Sequence, residues 1–273
     1  MAAMTEYELA HRYQTVNVLR AGAVAKIELN RPDRMNAWNA QFAADLQAAI
    51  SAAGEDPGVR AVVLTGAGRA FTTGADLKDA LEEAPPGARD LGRTLVERYH
   101  PLITGIRELP KPVVAAVNGP AAGIGVSLAL ACDLVAAAES AYFLLAFVNV
   151  GLVPDGGSSF LVPARVGFTR AAELALLGER LPARQALEWG LINRVWPDGE
   201  LAARVGELAG RLADGPTRSY AGVKRQLNSW LFERMGRQLE FEAATQREMG
   251  GSADFAEGVS AFLEKRPPRF TGA

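Results

Sequence analysis

Two glycine-marked turns and one aspartate concentrate the chemical potential of this sequence. The first turn reads Arg69-Ala70-Phe71-Thr72-Thr73-Gly74-Ala75-Asp76-Leu77 and the second Asn118-Gly119-Pro120-Ala121-Ala122-Gly123-Ile124-Gly125. Each follows an apolar run that reads as a strand and precedes a segment that reads as a helix. Backbone amides at such a junction have no intrahelical partner, and the helix dipole adds positive potential there. That arrangement suits stabilising an anion, although a glycine-rich turn equally serves to connect tightly packed elements. Neither turn has the spacing of a Rossmann or Walker loop, so a nucleotide phosphate is not implied. Asp155 lies in Val153-Pro154-Asp155-Gly156-Gly157, a string that by residue type alone is good turn chemistry.

The scarce residues narrow the chemistry further. Cys132 is the single cysteine, which rules out an intrachain disulfide and any multi-cysteine metal site and favours a reducing, cytoplasmic setting. The histidines are His11 and His100, and neither adjoins a recognisable serine or cysteine nucleophile motif, which argues against a hydrolase triad. Lysine plus arginine (29) nearly balance aspartate plus glutamate (31), and the net charge of -2 offers no bulk attraction to nucleic acid or to an anionic membrane. At 49% hydrophobic residues the chain can bury a sizeable core. Its 28 glycines exceed the average share and call for backbone used at close quarters.

The elements that must position these groups alternate. Apolar runs at Val24–Leu29, Ala61–Thr65, Val113–Val117 and Leu134–Ala137 read as strands. Between them, residues 37–53 carry Phe42, Leu46 and Ile50 at helical spacing, giving a βαβ-type alternation and an α/β fold. The uncharged stretch from Pro112 to Cys132 is long enough to raise a transmembrane reading. Asn118-Gly119-Pro120 splits it into a strand and a small-residue helix starting near Gly123, so no membrane span is expected. The N-terminus has no secretory-signal pattern. Residues 1–197 are expected to form the α/β core and 198–273 a helical segment, with stripes Leu201/Val205/Leu208/Leu212 and Phe255/Val259/Phe262/Leu263. Trp230, Leu231 and Phe232 require a cover from the core or from another subunit. The segment Glu82–Gly87 is the expected mobile loop.

An ordered series of short blocks resembles the crotonase superfamily of enoyl-CoA hydratases and isomerases. It runs through Leu29-Asn30-Arg31-Pro32 with Asn36-Ala37, Gly74-Ala75-Asp76-Leu77, Val117-Asn118-Gly119 to Cys132-Asp133-Leu134, and Gly151-Leu152-Val153-Pro154-Asp155-Gly156-Gly157. Later blocks are Ala186 with Gly190-Leu191-Ile192, and Glu257-Gly258 through Phe262-Leu263-Glu264-Lys265-Arg266. The resemblance spans roughly residues 15 to 270. It implies a crotonase-like spiral of ββα units with a C-terminal helical segment that covers CoA and mediates oligomerisation. It further implies trimers, often paired as hexamers, and an acyl-CoA thioester substrate with no separate cofactor or metal.

The same resemblance assigns roles by position. Ala75 N–H and Ile124 N–H correspond to the oxyanion hole that holds a thioester enolate. The two glutamates with which hydratases hold water are replaced here by Ser127 and Phe147, which leaves Asp155 as the acid–base group. Several enoyl-CoA isomerases, including those of phenylacetate degradation, resemble this chain in carrying an acid at that position. An apolar pocket of Phe147, Leu144 and Leu145 is expected to raise the proton affinity of Asp155. Arg34 and Lys265 are expected to face CoA phosphates, with the backbone at Thr73, Asp76 and Leu77 bordering the adenine end and Ser127 and Phe147 at the acyl side. Asp76 also fits a helix-start acid, and Asp133 reads as structural. The implied function is a thioester isomerase that moves a double bond; an atypical hydratase and a non-catalytic acyl-CoA binder are the alternatives.

Overall fold

The computed structural model describes residues 7–79 and 90–273; the expected loop at Glu82–Gly87 lies outside them. Strands β1 (Glu8–Arg12), β2 (Val16–Ala21), β3 (Val24–Leu29), β4 (Ala61–Gly66), β5 (Val113–Val117), β7 (Leu134–Ala138) and β10 (Arg194–Trp196) form one sheet in that order. The first three are antiparallel neighbours, and from β3 onward every pairing is parallel. A smaller sheet joins β6 (Ala121–Ala122), β8 (Tyr142–Leu144) and β9 (Arg180–Pro182).

The central strands are short continuous apolar runs because both their faces are covered. Val113 to Val117 are all buried, as are Ala61 to Leu64. The helix expected at residues 37–53 spans Ala40–Glu55, since the Asn39 side chain caps it by accepting from Phe42 N–H at 2.9 Å. Phe42, Leu46 and Ile50 face inward as the spacing requires. The helix Ile124–Ala131 is buried at all of its positions. It is apolar all round because it runs through the core rather than along a surface.

Beyond Pro197 the described residues form helices Leu201–Asp214, Thr217–Leu231, Met235–Gly250 and Ala253–Glu264. Their inward stripes differ in part from expectation. Leu201 and Val205 are buried together with Ala209 and Ala213, whereas Leu208 and Leu212 pack at the margin of the core. Phe255 and Val259 are buried, but Phe262 and Leu263 are exposed, because Gly258 and Ala261 occupy the close approach to the core. Phe232 is covered within the chain by Phe160 and by the Arg107 guanidinium, whose centre lies 4.6 Å from the ring centroid. Trp230 remains 79% exposed. Among the described residues no helix is long and apolar enough to cross a membrane.

Candidate active site

Strands β4 and β5 are parallel, so the turns that follow them emerge at the same edge of the sheet. Side-chain amides lock that edge. Asn36, fully buried, accepts from Arg31 N–H and donates to the carbonyls of Ala67, Ala70 and Phe71. Asn118 accepts from Gly66 N–H at 3.1 Å and donates to Gly68 O at 3.0 Å, tying the second turn to the start of the first. The Arg31 guanidinium reaches Asp76 at 3.1 Å and Asp79 at 3.0 Å, which anchors the far end of the first turn.

The backbone geometry leaves two amides facing away from their neighbours. Trp38 and Ala75 form a parallel bridge in which Trp38 N–H donates to Gly74 O and Asp76 N–H donates to Trp38 O. In such a bridge the N–H of Ala75 itself points to the opposite side. Ile124 is the first residue of its helix, so its N–H has no carbonyl one turn back. Gly74 (φ 85°) and Gly123 (φ 55°, ψ −129°) shape these positions, conformations that side-chain-bearing residues adopt only with strain. A Cβ on Gly74 would stand 2.9 Å from Ala122 O and 3.6 Å from Gly123 Cα, so the turns touch glycine against glycine.

Asp155 completes the constellation. With Ala75, it lines a cavity of about 90 Å³ walled by Trp38, Leu77, Leu95, Tyr99, Leu152 and Phe255. Its main-chain carbonyl accepts from Ser127 Oγ, Ser158 Oγ and Ser158 N–H. Its Oδ2 accepts from Gln246 Nε2 at 2.8 Å, and its Oδ1 is buried with no hydrogen-bond partner among the described residues. Burial, with the like charge of Glu242, pushes the carboxyl up to about 8 against the opposing pull of the Gln246 hydrogen bond. Asp76 and Asp79 also line the cavity, but both are paired with Arg31.

Several positions differ from the sequence reading. Phe147, Leu144 and Leu145 are not among the described residues that line the cavity with Asp155; they end β8 or follow it. Phe147 instead reaches Gly123, where an added Cβ would lie 4.0 Å from its ring. Ser127 is fully buried and its hydroxyl is spent on the Asp155 carbonyl, so it holds the loop rather than facing the cavity. Ile124 is buried and packs where a side chain on Gly156 would collide with it, linking the second turn to the Asp155 loop. Asp76 is a helix-start acid, accepting from Asp79 N–H. Thr73 is half-buried and hydrogen-bonds Met35 O, and Leu77 lines the cavity. Arg34 and Lys265 lie on the exposed surface outside the cavity wall. Among the described residues, no group of three His, Cys, Asp or Glu side chains converges as metal ligands.

Gln238, Glu242 and Gln246 went unnoticed in the sequence. They recur every fourth residue on the Met235–Gly250 helix and so share one face. Gln246 Oε1 accepts from Val153 N–H, and Glu242 accepts from Gly157 N–H, Ser159 N–H and Ser159 Oγ. Gln238 Nε2 donates to Ser159 Oγ. The period-four polar stripe was the available signal, but a stripe of that kind ordinarily marks a solvated face.

Comparison with known proteins places the chain in a family. The family model described as enoyl-CoA hydratase/isomerase matches residues 20–273. The chain is 45% identical over 249 residues to 1,2-epoxyphenylacetyl-CoA isomerase of Escherichia coli K12, covering 91% of this chain and 95% of that protein. It is 45% identical over 260 residues to a probable enoyl-CoA hydratase of Rhodobacter capsulatus, covering 95% and 99%. The crystal structure of an enoyl-CoA hydratase from Mycobacterium avium subsp. paratuberculosis K-10 superposes with a TM-score of 0.85 at 40% identity, covering 95% of this chain and all of that one.

Proposed function

Because this chain belongs to the enoyl-CoA hydratase/isomerase family, we propose that it is an acyl-CoA thioester isomerase that relocates a double bond through an enolate. Asp155, ionised, removes a proton from C2 of a 3-enoyl-CoA. Electrons move into the thioester carbonyl, where Ala75 N–H and Ile124 N–H receive the developing oxyanion. The neutral Asp155 carboxyl returns the proton at C4 and leaves the conjugated 2-enoyl-CoA. The observation that carries this reading is the unpartnered Asp155 Oδ1, buried in the cavity that Ala75 also lines. A carboxylate poised near the operating pH is suited to both taking and returning a proton.

The small aromatic and aliphatic cavity supports an acyl group the size of a ring or a short chain. With the relative named 1,2-epoxyphenylacetyl-CoA isomerase, this makes ring-epoxide phenylacetyl-CoA the second substrate to assay. Hydration finds less support: Phe147 cannot transfer a proton, and the Ser127 hydroxyl is occupied by the Asp155 carbonyl. Arg34 and Lys265 are proposed to meet CoA phosphates. The exposed Phe168, Leu176, Trp230 and Phe241 support assembly as a trimer or dimer of trimers, which sedimentation would test.

Absorbance separates the activities directly. Added 3-enoyl-CoA should gain the absorbance of a conjugated thioester, whereas a hydratase would bleach 2-enoyl-CoA. Binding with neither change would support a non-catalytic acyl-CoA protein, and full isomerase activity in folded Asp155→Asn would overturn the role of Asp155.

A further inference from the structure

Asp155 does not set its own orientation. Its main chain is held by Ser127 and Ser158, but the carboxyl is gripped from the Met235–Gly250 helix. Gln246 is itself oriented: accepting from Val153 N–H at 3.2 Å fixes its oxygen there, so its NH₂ must face Asp155. With Oδ2 occupied, Oδ1 is the oxygen left without a hydrogen-bond partner among the described residues. One helical turn earlier, Glu242 takes Gly157 N–H at 2.7 Å and Ser159 N–H at 3.1 Å, clamping the chain just beyond Asp155.

We propose that Gln246 and Glu242 are positioning residues for Asp155, a pair one helical turn apart that fixes which carboxylate oxygen meets the substrate. This rests on Asp155 being the proton-transfer group. The two act on it in opposite senses. Gln246 donates to the ionised carboxylate and so favours it, while Glu242 sets a second negative charge nearby and disfavours it. Among the described residues, the other acids at the cavity wall, Asp76 and Asp79, are matched by Arg31, and Asp90, next to the lining Leu91, pairs with Arg247. Tyr99 lines the same cavity. The Met235–Gly250 helix thereby joins the candidate site through polar contacts.

The test is the pH titration of the Asp155 carboxyl itself, read by carbon-13 NMR on aspartate-labelled protein without substrate and assigned by its loss in Asp155→Asn. Gln246→Met should raise the midpoint by about one pH unit, a tenfold change in proton affinity, and Glu242→Gln should lower it. The ascending limb of kcat against pH should move in the same two directions, with KM changing less than about threefold. Midpoints unmoved in both folded variants, or displaced in the same direction, would overturn the assignment. If Glu242→Gln does not fold, Gln246→Met decides alone: a raised midpoint supports the proposal and an unmoved or lowered one ends it. Activity of Asp155→Asn tests the isomerase reading separately, because the carboxyl titration needs no turnover.

Discussion

The two ends of the Ile124–Ala131 helix treat an aspartate in opposite ways. At the carboxyl end Asp133 meets Arg107 at 3.3 Å and Lys224 at 2.8 Å and accepts from Val113 N–H. Arg107 and Arg165 also donate to the last carbonyls of the helix, Ala131 O and Leu130 O. Cations there match the negative end of the helix dipole, and the acid neutralises them. At the amino end Asp155 sits beside Ser127 and Ile124, and its described neighbours are an amide and another carboxylate. One acid is satisfied and ties elements together; the other is held at a cost that the rest of the core must offset. The Asp133 carboxylate is taken up by arginine, lysine and a backbone amide, whereas Asp155 keeps an oxygen with no hydrogen-bond partner among the described residues.

The sharpest way to break this contrast is to remove each acid. Asp155→Asn should lower isomerase turnover by about 10³-fold, the typical worth of a positioned acid–base group, while acyl-CoA binding measured by calorimetry persists. Asp133→Ala should leave Arg107 and Lys224 buried without their carboxylate and cost about 3 kcal/mol of stability in urea unfolding. Equal loss of turnover in folded Asp133→Ala would erase the distinction between the two ends.

The pH dependence of stability sharpens it further. Burial and the nearby Glu242 push the folded Asp155 carboxyl up to about 8, against an ordinary aspartate value of 3.8. Between those limits the folded state binds more protons than the unfolded state, so this group lowers stability as pH rises from about 4 to 8. Asp155→Asn lacks that slope and should become the more stable protein as pH rises, by a margin that grows from about pH 4 toward 8 in thermal or urea unfolding. Wild-type turnover should rise with pH over the approach to about 8, because the base must be ionised to act. The smallest effect is expected at the first turn: Gly74→Ala, strained at φ 85° and crowding Ala122 O, should reduce kcat about tenfold by displacing the Ala75 amide.

Some of this was legible because it is local. Val24–Leu29 and Val113–Val117 coincide with observed strands, since a short apolar run bounded by turn residues has few other stable outcomes. Both glycine-marked turns follow strands, as their position indicates. The errors came where contact partners lie far apart in the chain. Phe147, Leu144 and Leu145 are near Asp155 in sequence, yet the cavity wall is assembled from Trp38, Leu95, Tyr99 and Phe255. Phe262 and Leu263 fit a helical stripe, but the helix turns Gly258 inward against Val150 and leaves them exposed.

The sequence by itself determined the alternation of strands and helices, the two strand-to-helix turns and, through ordered motifs, the family. Those depend on residue type, spacing and backbone preference, which act over a few residues. Only the tertiary structure decided that the carboxyl of Asp155 is gripped by Gln246, 91 positions away, and that Glu242 binds the same loop across 85 positions. It also decided that, among the described residues, Asp155 meets an amide and a carboxylate while Asp133 meets two cations. Burial and the sign of the nearest charge set the proton affinity of an acid, and both are properties of what the folded chain brings together.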